Sequence, residues 1–384
     1  MGMATGIAWI GEDELLIRGF GLGDLAREAG YAEFLHLLWL GELPDSSALE
    51  AFSRRLATVG EPPSELMDLL HRLPRGSSPL DRLACCAGLL AVHTDNHEPG
   101  ARISETQALQ MLCWLAVAAA GIVRVDQGLT PVHWAEEADF PSMLLHLLRG
   151  HGSDAVDVLA MRRLLIVHAE HELAPSTLCV RIAGSMLAPA WASLQAGLCA
   201  LNGPEHGGAN VDVLQMLERI GKVPSVMHSL ERLRHTRELP PGFGHRLYRL
   251  RDPRVEPLRQ ISSVLAGRST EPHLHAICEE LERQLEETER AGPPESAIRA
   301  NVDLYSATCY HYLGIRSEHF GLMFAVARCA GWLAHLMEQY ANNRPIRPRA
   351  AYQGESARAW VPMAERSVGP PATMTLPDSA ELNT

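Results

Sequence analysis

The sequence predicts an all-helical fold, on the grounds of its composition and its apolar periodicity. Apolar residues form 46% of the 384 residues but aromatic residues only 5%, so Leu, Ala, Val and Met must build the core. A core of such side chains favours closely packed helices. Apolar residues also recur at three- and four-residue intervals along most of the chain, which is the spacing of one helix face. A chain of this length favours two domains over one.

Six segments carry the helical spacing most clearly, and each of them is predicted to be a helix. They are residues 155–174, 178–201, 209–220, 255–266, 272–291 and 320–340. Strand signals are confined to the N-terminus, where short apolar runs at 6–10 and 15–18 flank the polar residues 11–14, so at most a minor hairpin is expected. Beyond residue 367 the composition turns to Pro, Gly, Ser and Thr, which predicts a flexible tail at 368–384.

The charge and the cysteine content narrow the class of protein. Lys and Arg total 34 against 46 Asp and Glu, and the net charge of -12 disfavours nucleic acid as a partner. The eight cysteines form no Cys-x-x-Cys pair, which is typical of reduced thiols. The N-terminus lacks the regions of a secretory signal, and no uninterrupted apolar run reaches about 18 residues. We therefore expect a cytoplasmic protein with no membrane partner.

The segment 242–254 carries the clearest chemical pattern. It places His245 directly after a Gly-Phe-Gly turn and Arg254, which follows a proline, nine residues later. A histidine and a guanidinium presented by one short loop are suited to hold an anion.

A second histidine, His206, lies in the Gly- and Pro-rich segment 203–210, just before a predicted helix. Small neighbours allow a substrate to approach its ring closely, and the helix start favours developing negative charge. The alternative is a tight interhelical turn that contains a histidine without using it.

Two charged residues belong to predicted helices. Asp303 stands at a helix start, where capping is the alternative explanation. Arg328 lies inside an apolar helix, where an unpaired guanidinium is costly, so it needs an anionic partner from protein or ligand. Arg347 belongs to a proline-interrupted basic strip, for which a solvated turn is the alternative.

The histidines His168 and His171 share a helix face at i and i+3. Zinc is one interpretation of this pair, and structural histidines at a helix end are the other. Neither zinc-protease order of His and Glu is present, and no third ligand is near in sequence. We expect no metal.

Taken in order, these segments resemble the citrate synthase family. The resemblance runs from about residue 6 to about residue 363 and rests on the segments 168–172 (HAEHE), 203–210 (GPEHGGAN), 242–246 (GFGHR), 252–254 (DPR), 301–303 (NVD), 323–332 and 347–349 (RPR). It implies a helical homodimer in which a small domain at 209–308 closes on a large domain formed by 1–208 and 309–367.

The resemblance also implies an activity. Acetyl-CoA is enolised, condensed with oxaloacetate, and the citryl thioester is hydrolysed to citrate and CoA, so the enzyme is an acyltransferase that converts the acyl group to an alkyl group. Asp303 is then the base, His206 polarises the thioester carbonyl, and His245 gives a proton to the carbonyl oxygen of oxaloacetate. This division of roles suits a weakly acidic C–H next to a thioester.

The remaining site residues follow from the same resemblance. Oxaloacetate would be bound by a histidine, three arginines and an aromatic ring, namely His171, Arg254, Arg328, Arg347 and Phe324. Arg347 would come from the other subunit of the homodimer. CoA would contact Pro241, Gly242, Phe243, Gly244, Arg246 and Arg249. No permanently bound cofactor is implied, since the acyl-CoA is a co-substrate.

The segment 171–177 departs from the family pattern His-Glu-x-Asn-Ala-Ser-Thr, because it reads His-Glu-Leu-Ala-Pro-Ser-Thr. This leaves open another acyl-CoA or keto acid, and the nearest alternative is a 2-methylcitrate synthase that uses propionyl-CoA. Arg246 favours acetyl-CoA, because 2-methylcitrate synthases often have proline there. One methylene is worth only about 1–3 kcal/mol in a pocket, so the sequence leaves both donors open. A non-catalytic paralogue that binds CoA or a dicarboxylate is a further alternative.

Overall fold

A computed structural model of the chain describes residues 3–93, 102–134, 139–236, 238–290 and 298–366. The predicted tail at 368–384 lies outside these residues. The chain divides into two compact units, Met1–Ile346 and Arg347–Thr384. The first unit holds the sheet and the α-helices described below, and the second has a short 3₁₀ turn at Met363–Glu365. The further division into domains at residues 209 and 308 stays a prediction.

The expected N-terminal hairpin is present and continues into a third short strand. Strand β1 (Ala8–Ile10) pairs antiparallel with β2 (Leu15–Ile17), which pairs antiparallel with β3 (Phe20–Gly21). Arg18 and Gly19, with φ of 51° and 86°, form the tight turn between β2 and β3. Positive φ at two successive residues matches the twist of a hairpin.

The rest of the first unit is helical, as the composition predicts. Its first half contains α1 (Leu22–Glu28), α2 (Tyr31–Leu40), α3 (Ser46–Ala57), α4 (Ser64–Arg72), α5 (Pro79–His93), α6 (Glu105–Asp126) and α7 (Phe140–Arg149). The second half contains α8 (Ala155–Ala169), α9 (Pro175–Ser185), α10 (Ala190–Leu201), α11 (Pro204–Gly207), α12 (Ala209–Ile220), α13 (Val226–Thr236), α14 (Val255–Ala266), α15 (His273–Arg290), α16 (Val302–Tyr312) and α17 (Phe320–Ala341).

Four of the six predicted helices match in extent, and two are corrected. The helix predicted over 155–174 ends at Ala169, and its successor begins at Pro175. The helix predicted over 178–201 is two helices, because Leu187 has a φ of 60° and Pro189 caps the second one. A left-handed residue followed by proline cannot continue a helix.

Two helices of the described chain, Glu105–Asp126 and the one within Ser317–Ala341, are apolar and long enough to cross a membrane by length and composition alone. In the folded chain 94% and 89% of their most apolar windows are buried. Core helices of a globular domain pass the same test. Helix α17 packs against α8, α9, α10 and α6, and it therefore lies at the centre of the helical unit.

Candidate active site

The predicted site residues of the first unit meet at one cavity of about 530 Å³. Its wall includes two imidazoles expected to be catalytic, the expected base, and four of the residues expected to bind oxaloacetate. These are His206, His245, Asp303, His171, Arg254, Phe324 and Arg328. They come from the turn after α8, from α11, from the loop before α14, and from α16 and α17. Residues that are widely separated in sequence therefore share one pocket.

Asp303 lies in the first turn of α16, and capping does not account for it. The cap is Asn301, whose side-chain oxygen accepts from the Asp303 N–H at 3.0 Å while its amide donates to the Gly244 carbonyl at 2.9 Å. The Asp303 carboxyl is thus left to face the cavity that it lines. Burial raises its pKa to about 6, against the lowering effect of Arg254. A carboxylate of this basicity suits proton abstraction near neutral pH.

His206 is held by a serine that the sequence analysis did not single out. The His206 Nε2 lies 2.8 Å from Ser176 Oγ, and Trp332 Nε1 donates to the same oxygen at 3.3 Å. Because an indole N–H can only donate, the serine hydroxyl is free to donate to Nε2. The neutral ring then carries its proton on Nδ1. Burial, with Arg328 as the next cause, lowers the pKa of His206 to about 4, so the ring is neutral at pH 7.

The loop before His245 is tied to the start of α16. Gly244 N–H donates to the Arg299 carbonyl at 2.8 Å, and the Asn301 N–H donates to the Gly242 carbonyl at 2.9 Å. Gly242 has a φ of 84°, and a Cβ there would lie 3.1 Å from Leu304 Cα, so glycine is required. The pairing brings His245 beside the helix that bears Asp303.

His245 Nδ1 accepts from the backbone N–H groups of Leu247 and Tyr248, at 3.1 and 3.2 Å. The neutral ring therefore carries its proton on Nε2, which lies 3.2 Å from Arg254 Nη2. Burial, then Arg254, lowers the pKa of His245 to about 4. The His245 Nε2–H and Arg254 Nη2–H groups are both donors, so neither satisfies the other. A ligand oxygen between them would accept a hydrogen bond from each.

The two buried arginines are in different electrostatic situations. Arg254 forms a two-bond ion pair with Asp252, at 2.9 and 2.8 Å. Arg328 donates from Nε to the His168 carbonyl at 2.7 Å and lies 4.8 Å from the Phe324 ring centroid. Among the described residues no carboxylate forms an ion pair with Arg328, and its Nη1 has no hydrogen-bond partner.

Arg328 is 1% exposed, and burial lowers its pKa to about 10 despite the opposing influence of Glu170. A buried guanidinium without a counter-ion costs several kcal/mol. The expectation that it needs an anionic partner therefore points to a ligand.

The segment expected to bind CoA borders a second cavity of about 980 Å³. Phe243, Gly244, Arg246 and Arg249 line it, and Gly244 and Arg246 also line the first cavity. Pro241 and Gly242 are not among its lining residues.

Arg347 is the first residue of the second compact unit, and its role stays a prediction. The histidine pair considered for zinc is divided between two settings. His168 is fully buried, and its Nδ1 bonds the Leu164 carbonyl at 2.8 Å, whereas His171 lines the cavity. Across the described residues, no group of three or more His, Cys, Asp or Glu side chains is placed to hold a metal ion.

Sequence reasoning missed three residues that hold the site in place. Ser176 bonds His206, Tyr248 bonds His171, and Asp252 bonds Arg254. Asp252 could have been found, because it is a carboxylate two residues from Arg254 in the same loop and guanidinium groups pair readily with carboxylates. The two hydroxyl groups gave no such signal, because their partners are distant in sequence.

These groups define the site of an acid–base enzyme that acts on an anionic substrate. The site has a carboxyl group whose pKa is raised to about 6, two neutral imidazoles with assigned N–H groups, and a buried guanidinium that has no carboxylate partner among the described residues.

Comparisons with known proteins agree with this class. The family profile described as "Citrate synthase, C-terminal domain" matches residues 2–349. Citrate synthase 2 of Bacillus subtilis is 34% identical over 367 residues, which cover 94% of this chain and 96% of that protein. The 2-methylcitrate synthase of Shewanella oneidensis is 30% identical, with 92% of each chain covered. The crystal structure of citrate synthase from Thermotoga maritima superposes with a TM-score of 0.81 at 27% identity, covering 95% of this chain and 97% of that one. The chain therefore belongs to the citrate synthase family.

Proposed function

We propose that this chain condenses the acetyl group of acetyl-CoA with oxaloacetate and hydrolyses the citryl thioester to citrate and CoA. The observation that carries the proposal is the cavity in which Asp303, His206 and His245 lie together with Arg328, whose guanidinium has no carboxylate partner among the described residues. A dianionic keto acid supplies the missing counter-charge, and the three titratable groups supply the proton transfers.

Each titratable group has one role in the first half of the reaction. Asp303 takes a proton from the methyl carbon of the thioester. His206 donates from Nδ1 to the thioester oxygen as the enol forms, and Ser176 holds its other nitrogen. His245 donates from Nε2 to the carbonyl oxygen of oxaloacetate as the new carbon–carbon bond forms. Fixed donors at atoms that gain negative charge stabilise the transition state.

Oxaloacetate is held by charge. Arg328 and Arg254 bind the two carboxylates of oxaloacetate, and His171 adds a further hydrogen-bond donor. The Phe324 ring, which lies under the Arg328 guanidinium, packs against oxaloacetate. Charge-assisted hydrogen bonds of this kind are worth about 1.5–3 kcal/mol each. We propose further that Arg347 reaches this site from the partner in a homodimer, so that dimerisation is required for activity.

CoA is placed in the larger cavity beside the site. Arg246 and Arg249 are exposed there and available to phosphates. The backbone at Phe243 and Gly244, which line this cavity, would contact the adenine. The acyl-CoA is consumed as a co-substrate, and the proposal includes no resident cofactor. A cytoplasmic location and a role in the tricarboxylic acid cycle complete the proposal.

The test is a thiol-release assay with oxaloacetate and acetyl-CoA. Release should be rapid for the native chain and about 10²- to 10⁴-fold slower for Asp303→Ala. An unchanged rate in the variant would overturn the assignment of the base. Absence of turnover with every acyl-CoA and keto acid tried would favour a binding protein instead.

A second candidate is the same reaction with propionyl-CoA. Three consecutive apolar residues, Leu173, Ala174 and Pro175, line the cavity after His171 and can receive an extra methyl group. The ratio of kcat/KM for the two acyl-CoA donors, measured with saturating oxaloacetate, decides between them. A pocket distinguishes one methylene by about 10- to 200-fold, so the preference is measurable.

A further inference from the structure

Tyr248 contacts three side chains of the site. Its hydroxyl oxygen lies 3.0 Å from His171 Nε2. The centroid of the Tyr248 ring lies 4.5 Å from that of the His245 ring. The central carbon of the Arg254 guanidinium lies 5.6 Å from the same Tyr248 centroid. The residue is only 6% exposed. A buried hydroxyl in such surroundings must have a defined hydrogen-bond direction.

The tyrosine is the donor in this hydrogen bond. Within the described chain the Tyr248 hydroxyl has His171 as its hydrogen-bond partner, so its proton has no other acceptor. If His171 Nε2–H donated instead, the phenolic proton would have no partner among the described residues, at a cost of about 1–3 kcal/mol for a group that is largely removed from water. His171 is neutral, because burial and then the cations Arg254 and Arg328 lower its pKa well below the usual value.

We propose that Tyr248 is a positioning residue that fixes the His171 imidazole with its proton on Nδ1, so that an N–H group faces the carboxylate of oxaloacetate. The proposal rests on the function proposed above. His171 lines the cavity, and with Nε2 taken by Tyr248 its Nδ1 is the ring nitrogen left for a ligand. The other tautomer would turn a lone pair toward an anion.

The same arrangement recurs at the two other imidazoles of the site. Ser176 donates to His206 Nε2, and backbone N–H groups donate to His245 Nδ1. Each ring has one nitrogen occupied by a donor of the protein and the other left to donate to a ligand. Tyr248 donates a hydrogen bond to His171 Nε2 as Ser176 does to His206 Nε2. The three rings then present three N–H donors to a ligand.

Tyr248→Phe tests the proposal, because it removes the hydroxyl and keeps the ring that packs on His245 and Arg254. The KM for oxaloacetate should rise about 2- to 10-fold, the range of one hydrogen bond, while kcat and the KM for acetyl-CoA stay within about twofold. A variant that merely loosened the fold would change both KM values. Equal increases in the two KM values would therefore overturn the proposal.

A double-mutant cycle tests whether Tyr248 acts through His171. In the His171→Asn background, Tyr248→Phe should cause no further rise in the KM for oxaloacetate, because the partner is already gone. A full additional rise would show that the hydroxyl acts elsewhere, and would overturn the proposal.

The tautomer itself can be measured without turnover. The ¹⁵N chemical shifts of the His171 ring should show a protonated Nδ1 and an unprotonated Nε2 in the native chain. These signals are assigned as the ones that are missing from the spectrum of His171→Asn. Tyr248→Phe should shift this population toward the other tautomer. A native ring protonated on Nε2 would overturn the proposal even if the variant did not fold. Because this readout needs no acyl-CoA, its outcome is independent of the proposed reaction.

Discussion

Asp303→Asn should lower activity strongly and stabilise the fold at the same time. The pKa of Asp303 is raised from its ordinary 3.8 to about 6. Below pH 3.8 the carboxyl is neutral in both folded and unfolded chains. Between 3.8 and 6 the unfolded chain loses the proton first, so stability falls as pH rises and stays lower above 6. At pH 7 the partly buried charge therefore costs the folded state free energy.

The magnitude follows from the shift. A difference of about two pKa units corresponds to about 3 kcal/mol at 1.36 kcal/mol per unit, and the partial exposure of the group reduces this to about 1–3 kcal/mol. Asparagine has nearly the same shape without the charge. For a chain of 384 residues the gain amounts to a Tm about 1–4 °C higher at pH 7. The rate should fall by at least about 10²-fold.

Thermal unfolding at pH 7 and pH 4.5, with thiol release at pH 7, measures both effects. The gain in Tm should shrink at the lower pH, where the native carboxyl is protonated. Asp212 offers a matched control, because it is exposed and also lies in the first turn of a helix. Asp212→Asn should leave activity unchanged and give no gain in stability. A less stable Asp303→Asn at pH 7, or one that keeps a tenth of the native rate, would refute the reasoning.

Three other outcomes are expected. In the native chain kcat/KM should rise about tenfold per pH unit between about 4 and 6, where Asp303 ionises. It should show no imidazole transition between 6 and 8, because the pKa values of His206 and His245 are lowered to about 4; a transition near 7 would contradict this. Arg328→Met should raise the KM for oxaloacetate about 10- to 100-fold and remove the thermal stabilisation that oxaloacetate gives the native chain; retained stabilisation would place the anion elsewhere. Ser176→Ala should lower kcat about tenfold and leave the KM for oxaloacetate unchanged. A tenfold lower kcat together with a tenfold higher KM would indicate a structural role instead.

The helical architecture was predictable from sequence, because amphipathic helices such as α12 and α14 carry their period in full. The break between α9 and α10 was not, because apolar spacing continues across it while Leu187 adopts a positive φ. Periodicity reports which side of a segment is apolar, and it does not report where the backbone leaves the helix.

The site was predictable in part for a similar reason. Its charged and imidazole groups stand in recognisable motifs, whereas Ser176 and Trp332 are 156 residues apart and meet only in the folded chain. The sequence also did not show which arginine is paired: Asp252 forms an ion pair with Arg254, while no described carboxylate does so with Arg328. Sequence shows which groups are available, and packing decides which of them are already satisfied.

The carboxylate of Asp252 accepts hydrogen bonds from two separate segments of the chain. It grips the Arg254 guanidinium, and it accepts the backbone N–H of Val302, the residue before Asp303, at 3.0 Å. One side chain thus links the loop that carries Arg254 to the first turn of α16, which carries Asp303. The positions of Arg254 and Asp303 are therefore not independent, because Arg254 and the residue before Asp303 are held by the same carboxylate.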